Sequence, residues 1–78
     1  MNFKKATDEL FDSVSHAELA EALGVSVASI RQARLSTEAK AFRAAPALWE
    51  KAVIRVADKR AEQYKRLADR LRLESNPK

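Results

Sequence analysis

One glycine stands in this chain of 78 residues, Gly24, and only two prolines, Pro46 and Pro77, accompany it. Tight hairpin turns draw on glycine and on residues that tolerate positive φ, so a β-rich fold has almost no material here for its connections. The chain is therefore predicted to be all-α. The position of the lone glycine then matters. It falls between two sequences suited to starting helices, Ser15-His16-Ala17-Glu18 and Ser26-Val27-Ala28-Ser29. A glycine just past a helix can adopt the left-handed conformation without a Cβ penalty, which makes Gly24 a helix stop.

Four helical segments follow from periodicity. Phe3, Ala6, Leu10 and Val14, with Phe11 beside them, recur at helical steps, predicting a helix over about 2–14 with Asn2 as its N-cap. Ser15 and Glu18 have the spacing of a capping box, so a second helix runs from there to Gly24 with Leu19, Ala20 and Leu23 inward. Ser26 caps a third helix over about 27–35, with Ile30 and Ala33 inward. Residues 36–45 read as a loop with at most one helical turn, from which Phe42 is expected to enter the core. Pro46 suits the first turn of a helix, and the pattern continues to about Leu73, some 40 Å at 1.5 Å per residue. Ser75 to Lys78 are expected to be a frayed tail. The whole, 1–78, reads as one domain: a compact bundle of three short helices with a helix-turn-helix at about 16–35, plus a long C-terminal helix at about 46–73.

Several classes are excluded at this stage. A chain this short buries only about 60% of its unfolded surface and usually needs a staple or a partner. There is no cysteine and one histidine, His16, which removes disulfides and makes a metal site untenable. No apolar run approaches the length of a membrane span, and no signal-like stretch opens the chain, so a cytoplasmic location is expected. No nucleophile motif or glycine-rich phosphate loop is present, so no enzyme, cofactor or small-molecule ligand is expected.

Charge is unevenly distributed within the net +4. Residues 1–24 set Lys4 and Lys5 against Asp8, Glu9, Asp12, Glu18 and Glu21, whereas residues 25–46 set Arg31, Arg34, Lys40 and Arg43 against Glu38 alone. An acidic front and a basic middle suit one face turned to a polyanion.

A helix-turn-helix that reads DNA needs a small residue where its helices cross, a residue free to take positive φ in the turn, and apolar inner positions. Ala20, Gly24, and Leu19, Leu23, Val25, Ile30 and Ala33 fill those places. The stretch AELAEALGVSVASIRQ resembles the Cro and lambda-repressor-like helix-turn-helix family of bacterial and phage regulators. The close resemblance covers about a quarter of the chain. It implies a transcription regulator binding double-stranded DNA, with its third helix in the major groove. The long last helix departs from the family pattern of two short terminal helices.

The outer side of the third helix supports that expectation by its chemistry. Ser26, Val27, Ala28, Ser29, Arg31, Gln32 and Arg34 include no acid. Arg31 suits a bidentate pair to guanine and Gln32 to adenine, while Val27 and Ala28 suit thymine methyls and Ser29 a base edge. By the resemblance, the base-meeting positions are Val27, Ala28, Arg31, Gln32 and Leu35, although Leu35 is apolar where a polar residue is usual. Ser15 and His16 at one helix N-terminus, Ser26 at the next, and Arg34, Lys40 and Arg43 are the expected phosphate contacts. The competing reading is a small helical protein-interaction module that does not bind DNA.

The last helix carries Trp49, Val53, Val56, Ala57, Ala61, Tyr64, Leu67, Ala68 and Leu71 at mixed three- and four-residue steps. Its second half should overshoot the bundle, leaving Tyr64, Leu67 and Leu71 to be covered by a second copy, as in a homodimeric repressor. Arg60 lies in the same stripe and is expected to reach solvent or to meet one of the N-terminal acids, such as Asp8 or Asp12. The pairs Glu62–Arg66 and Lys65–Asp69, four apart, favour a solvated rather than membrane-bound polar face.

Overall fold

The computed structural model describes residues 1–75 and places four helices in the order α1 Phe3–Leu10, α2 His16–Leu23, α3 Val27–Ala33 and α4 Trp49–Ser75, with no strand among those residues. No described helix is long and apolar enough to cross a membrane. The caps explain the boundaries. Asn2 Oδ1 accepts from the Lys5 N–H at 2.9 Å. The Ser15 hydroxyl accepts from the Glu18 N–H at 3.1 Å while Glu18 accepts from the Ser15 N–H at 3.4 Å, the two halves of the capping box. Gly24 ends α2 at φ 70°, and Val25 N–H closes back on the Ala20 carbonyl at 3.0 Å.

The first three helices surround a core of Phe3, Leu10, Val14, Leu19, Ala20, Ile30 and Ala33. Trp49, Val53 and Val56 of α4 close that core, with Trp49 edge-on to Phe3 at 5.3 Å between ring centroids. Among the described residues Thr7 is the one buried polar side chain, on the same face of α1 as Phe3 and Leu10. Its hydroxyl donates to the Phe3 carbonyl at 2.7 Å and accepts from Arg34.

Several boundaries differ from the sequence expectation. Helix α1 stops at Leu10, not Val14. The N–H groups of Asp12 and Ser13 bond three residues back, tightening the chain into a turn that still buries Val14. Helix α3 ends at Ala33, two residues early, leaving Leu35 exposed. Phe42 is half-buried and outside the core cluster; Ala45 and Trp49 take that side instead. Helix α4 begins at Trp49 rather than Pro46 because Leu48 adopts φ 63°, a left-handed conformation that interrupts the helix. It runs to Ser75, whose hydroxyl bonds the Leu71 carbonyl at 2.6 Å. The rest of the expected frayed tail, 76–78, lies outside the described residues.

The 27-residue α4 is about 40 Å long and projects from the bundle, giving extents of 61 × 20 × 19 Å. The radius of gyration is 16.2 Å, against about 11.5 Å for a compact chain of this length. Residue 60 marks where bundle contact gives way to open helix. The Arg60 guanidinium spans from α4 to α2, holding both Glu18 carboxylate oxygens at 2.7 Å and the Ser13 carbonyl. Its partner is an acid of the N-terminal segment, as expected, but Glu18 rather than Asp8 or Asp12. Beyond it, Glu62–Arg66 and Lys65–Asp69 form as the spacing predicts.

Candidate nucleic-acid interface

Helix α3 is set by its cap and its inner residues. Ser26 accepts from the Ser29 N–H at 3.1 Å, and the two hydroxyls lie 3.0 Å apart. Ile30 and Ala33 face the core, which turns Ala28 and Arg31 fully outward and leaves Ser29 and Gln32 half-buried at the flanks. Val27 does not join the outer face as the sequence suggested. It is half-buried and packed against the core. The exposed surface of α3 therefore consists of Ala28, Arg31 and the accessible parts of Ser29 and Gln32, with Leu35 just beyond its end.

Arg34 also leaves the expected set of phosphate contacts. Its guanidinium bonds Asp8 at 2.7 Å, the Thr7 hydroxyl and the Lys4 carbonyl, and lies 5.2 Å from the centre of the Phe11 ring. An arginine so committed clamps the end of α3 onto α1 and has few donors left for another anion. Thr7 and Asp8 were missed as parts of this device. The legible signal was Thr7's place on the Phe3–Leu10–Val14 stripe, where a hydroxyl has to find a partner.

The clamp has an electrostatic consequence. No acid occurs from Ala22 through Thr37, a run bounded by the exposed Glu21 and Glu38. Asp8 is held by Arg34 and Lys4 and Glu18 by Arg60, each bond lowering the carboxyl below its ordinary range.

The start of α2 lies beside this surface. His16 stacks on Phe11, ring centroids 3.9 Å apart and 21° from parallel. Burial against that ring, and then the charges of Arg34 and Arg31, lower its pKa, so the imidazole is neutral at neutral pH and offers one N–H donor. Ser15, its neighbour, is exposed. At the opposite end of α2, Arg55 of α4 reaches the Ala22 carbonyl at 3.5 Å, where a cation suits the helix dipole.

After α3 the chain doubles back. The Arg43 N–H bonds the Gln32 carbonyl at 3.3 Å, and its guanidinium donates to the Phe42 carbonyl at 2.9 Å. Arg43 is thereby fixed beside the C-terminal end of α3, while Lys40 is exposed on the same loop. The structure thus brings Ser15, His16, Ser26, Ala28, Ser29, Arg31, Gln32, Lys40 and Arg43 onto the elements bordering α3, and assigns Val27 and Arg34 to internal packing. Among the described residues no cluster of side chains could hold a metal ion. No protein-family model, curated protein or solved structure matches the chain.

Proposed function

We propose that this chain is a sequence-specific double-stranded DNA-binding regulator of transcription, most simply a repressor, that lays α3 in the major groove. The observation that carries this reading is the surface of α3. Its outward residues are small at the leading end and then long and hydrogen-bonding, acids are absent along it, and Asp8 of α1 and Glu18 of α2 are paired with Arg34 and Arg60. Small residues allow close backbone approach, and Arg31 can donate twice to guanine while Gln32 can donate to and accept from adenine. The exposed start of α2 and the Lys40–Arg43 loop flank α3 as phosphate-contacting elements. A protein-interaction module has no requirement for an acid-free face.

The test is selection from random duplexes followed by fluorescence anisotropy on the enriched site. With about 6–10 phosphates neutralised by two copies of the chain, affinity should fall about 10³- to 10⁵-fold between 50 and 200 mM salt. Arg31→Ala should cost about 1–3 kcal/mol on the selected site and relax preference at one base pair, while Lys40→Ala should weaken every sequence alike. A flat salt response, or no duplex retained in the selection, refutes the proposal. Equal loss on selected and random DNA for Arg31→Ala moves that residue to the phosphates.

A further inference from the structure

Beyond Arg60, α4 buries none of its described residues, and the side-chain bonds described from Ala61 to Ser75 stay within the helix. A free helical extension of about 15 residues is marginal in water without a packed face. That face is present. Tyr64, Leu67 and Leu71 are 53%, 49% and 53% exposed, and with Ala61 and Ala68 they make a charge-free strip. Extended in both directions, the strip keeps strict alternation of four- and three-residue steps: Val53, Ala57, Arg60, Tyr64, Leu67, Leu71, Glu74. This is the seam of a coiled coil.

The same seam runs into a groove of about 410 Å³ between α1 and α4, lined by Met1, Ala6, Leu10, Val53, Ala57 and Tyr64 among others. Exposed strip and apolar groove are therefore continuous on one helix. We propose that they are the two halves of one interface, filled by a second copy of this chain running antiparallel along α4. In that register Tyr64 packs on the partner's Leu67, Leu67 on the partner's Tyr64, and the partner's Leu71 enters the groove at the level of Arg60. Glu74 of each copy lies against Ala57 of the other.

Charge selects this arrangement. A parallel pair would set Glu74 against Glu74, like charges directly opposed in the seam, and would bring two bundles to the same level, whereas Arg60 is already held by Glu18. The antiparallel pair sets each Glu74 against the partner's uncharged Ala57 and each tail beside the other's bundle. Charge also argues against a polyanion as occupant. Lys65, Arg66 and Arg72 are already paired with Asp69, Glu62 and Asp69. The tail's charge is nearly balanced, so self-association meets little repulsion.

The inference does not depend on DNA binding, and its test uses none. Sedimentation equilibrium of the full chain from about 1 to about 200 µM should give twice the 8.7 kDa chain mass. Leu67→Asp and Leu71→Asp should give the single-chain mass, with fluorescence of Trp49, the only tryptophan, reporting an intact bundle. Leu73→Asp, 80% exposed and off the seam, should remain dimeric. Because the chain has no cysteine, introduced thiols report the register. Ala57→Cys mixed with Glu74→Cys should form a disulfide-linked heterodimer on oxidation, and Glu74→Cys alone should not cross-link. A wild type that stays monomeric throughout, which leaves the strip to some other partner, overturns the proposal. So does dimerisation that survives Leu67→Asp, or ready cross-linking of Glu74→Cys to itself.

Discussion

Replacing Thr7 by valine tests whether the end of α3 is held by a buried polar clamp or by apolar packing alone. Valine keeps the branched shape but removes the hydroxyl that donates to the Phe3 carbonyl and receives the Arg34 guanidinium. A bond to a charged group is worth about 1.5–3 kcal/mol, and an unmet buried donor costs a similar amount. Arg34 would retain Asp8 at 2.7 Å and the Lys4 carbonyl, and the added methyl gains roughly 0.8 kcal/mol of burial. The net loss should be about 1–2 kcal/mol, or roughly 4–16 °C in Tm for a domain of this size. Thermal unfolding followed by circular dichroism, at one fixed protomer concentration, measures it. Thr7→Ser is the discriminating companion. It keeps the hydroxyl and loses the methyl, so the clamp predicts that serine is tolerated better than valine, and pure packing predicts the reverse. A cycle pairing Thr7→Val with Arg34→Met should show coupling of about 1 kcal/mol or more, well above the few tenths seen for independent sites. Valine as stable as wild type, or coupling within those few tenths, refutes the clamp.

Two further outcomes follow from the site. Because burial against Phe11 lowers the His16 pKa, the folded chain prefers the neutral ring. The unfolded chain binds the proton first, so this contribution to stability is complete above the ordinary histidine value of 6.5 and is lost as pH falls below it. An NMR titration of the single imidazole should therefore show a midpoint below 6.5, moving up in Phe11→Ala. A midpoint at or above the ordinary value contradicts the described stacking. Gly24→Ala meets no atom within 4 Å, so its cost should be the left-handed backbone alone, about 1–2 kcal/mol in chemical denaturation. A neutral substitution would show that the turn relaxes to another conformation.

How much of this was legible in the sequence depends on the range of the interaction. The all-α class, the caps at Asn2, Ser15 and Ser26, the stop at Gly24 and the i,i+4 pairs of α4 are local. Each is decided by residues within one or two turns, so spacing alone reveals it. The early ends of α1 and α3 and the late start of α4 escaped because hydrophobic periodicity continues through residues that the chain uses as turns. Val14 is buried without being helical, and Leu48 is kept from helix by a backbone conformation that a leucine does not advertise.

The particular partners of Arg34 and Arg60 could not be read from the sequence. An arginine on an outer helical stripe is written the same way whether it faces solvent, phosphate or a carboxylate from another element. Arg34 meets Asp8, 26 residues away, and Arg60 meets Glu18, 42 residues away. Only the packing of α3 on α1, and of α4 on α2, brings those charges together. What the sequence determined by itself is the set of helices and the turn between α2 and α3, because capping, glycine conformation and helical periodicity act along the chain. What the tertiary structure decided is which charges are spent inside the molecule and which remain in front of α3. Ion pairing depends on distance in space, and that distance exists only once the helices have docked.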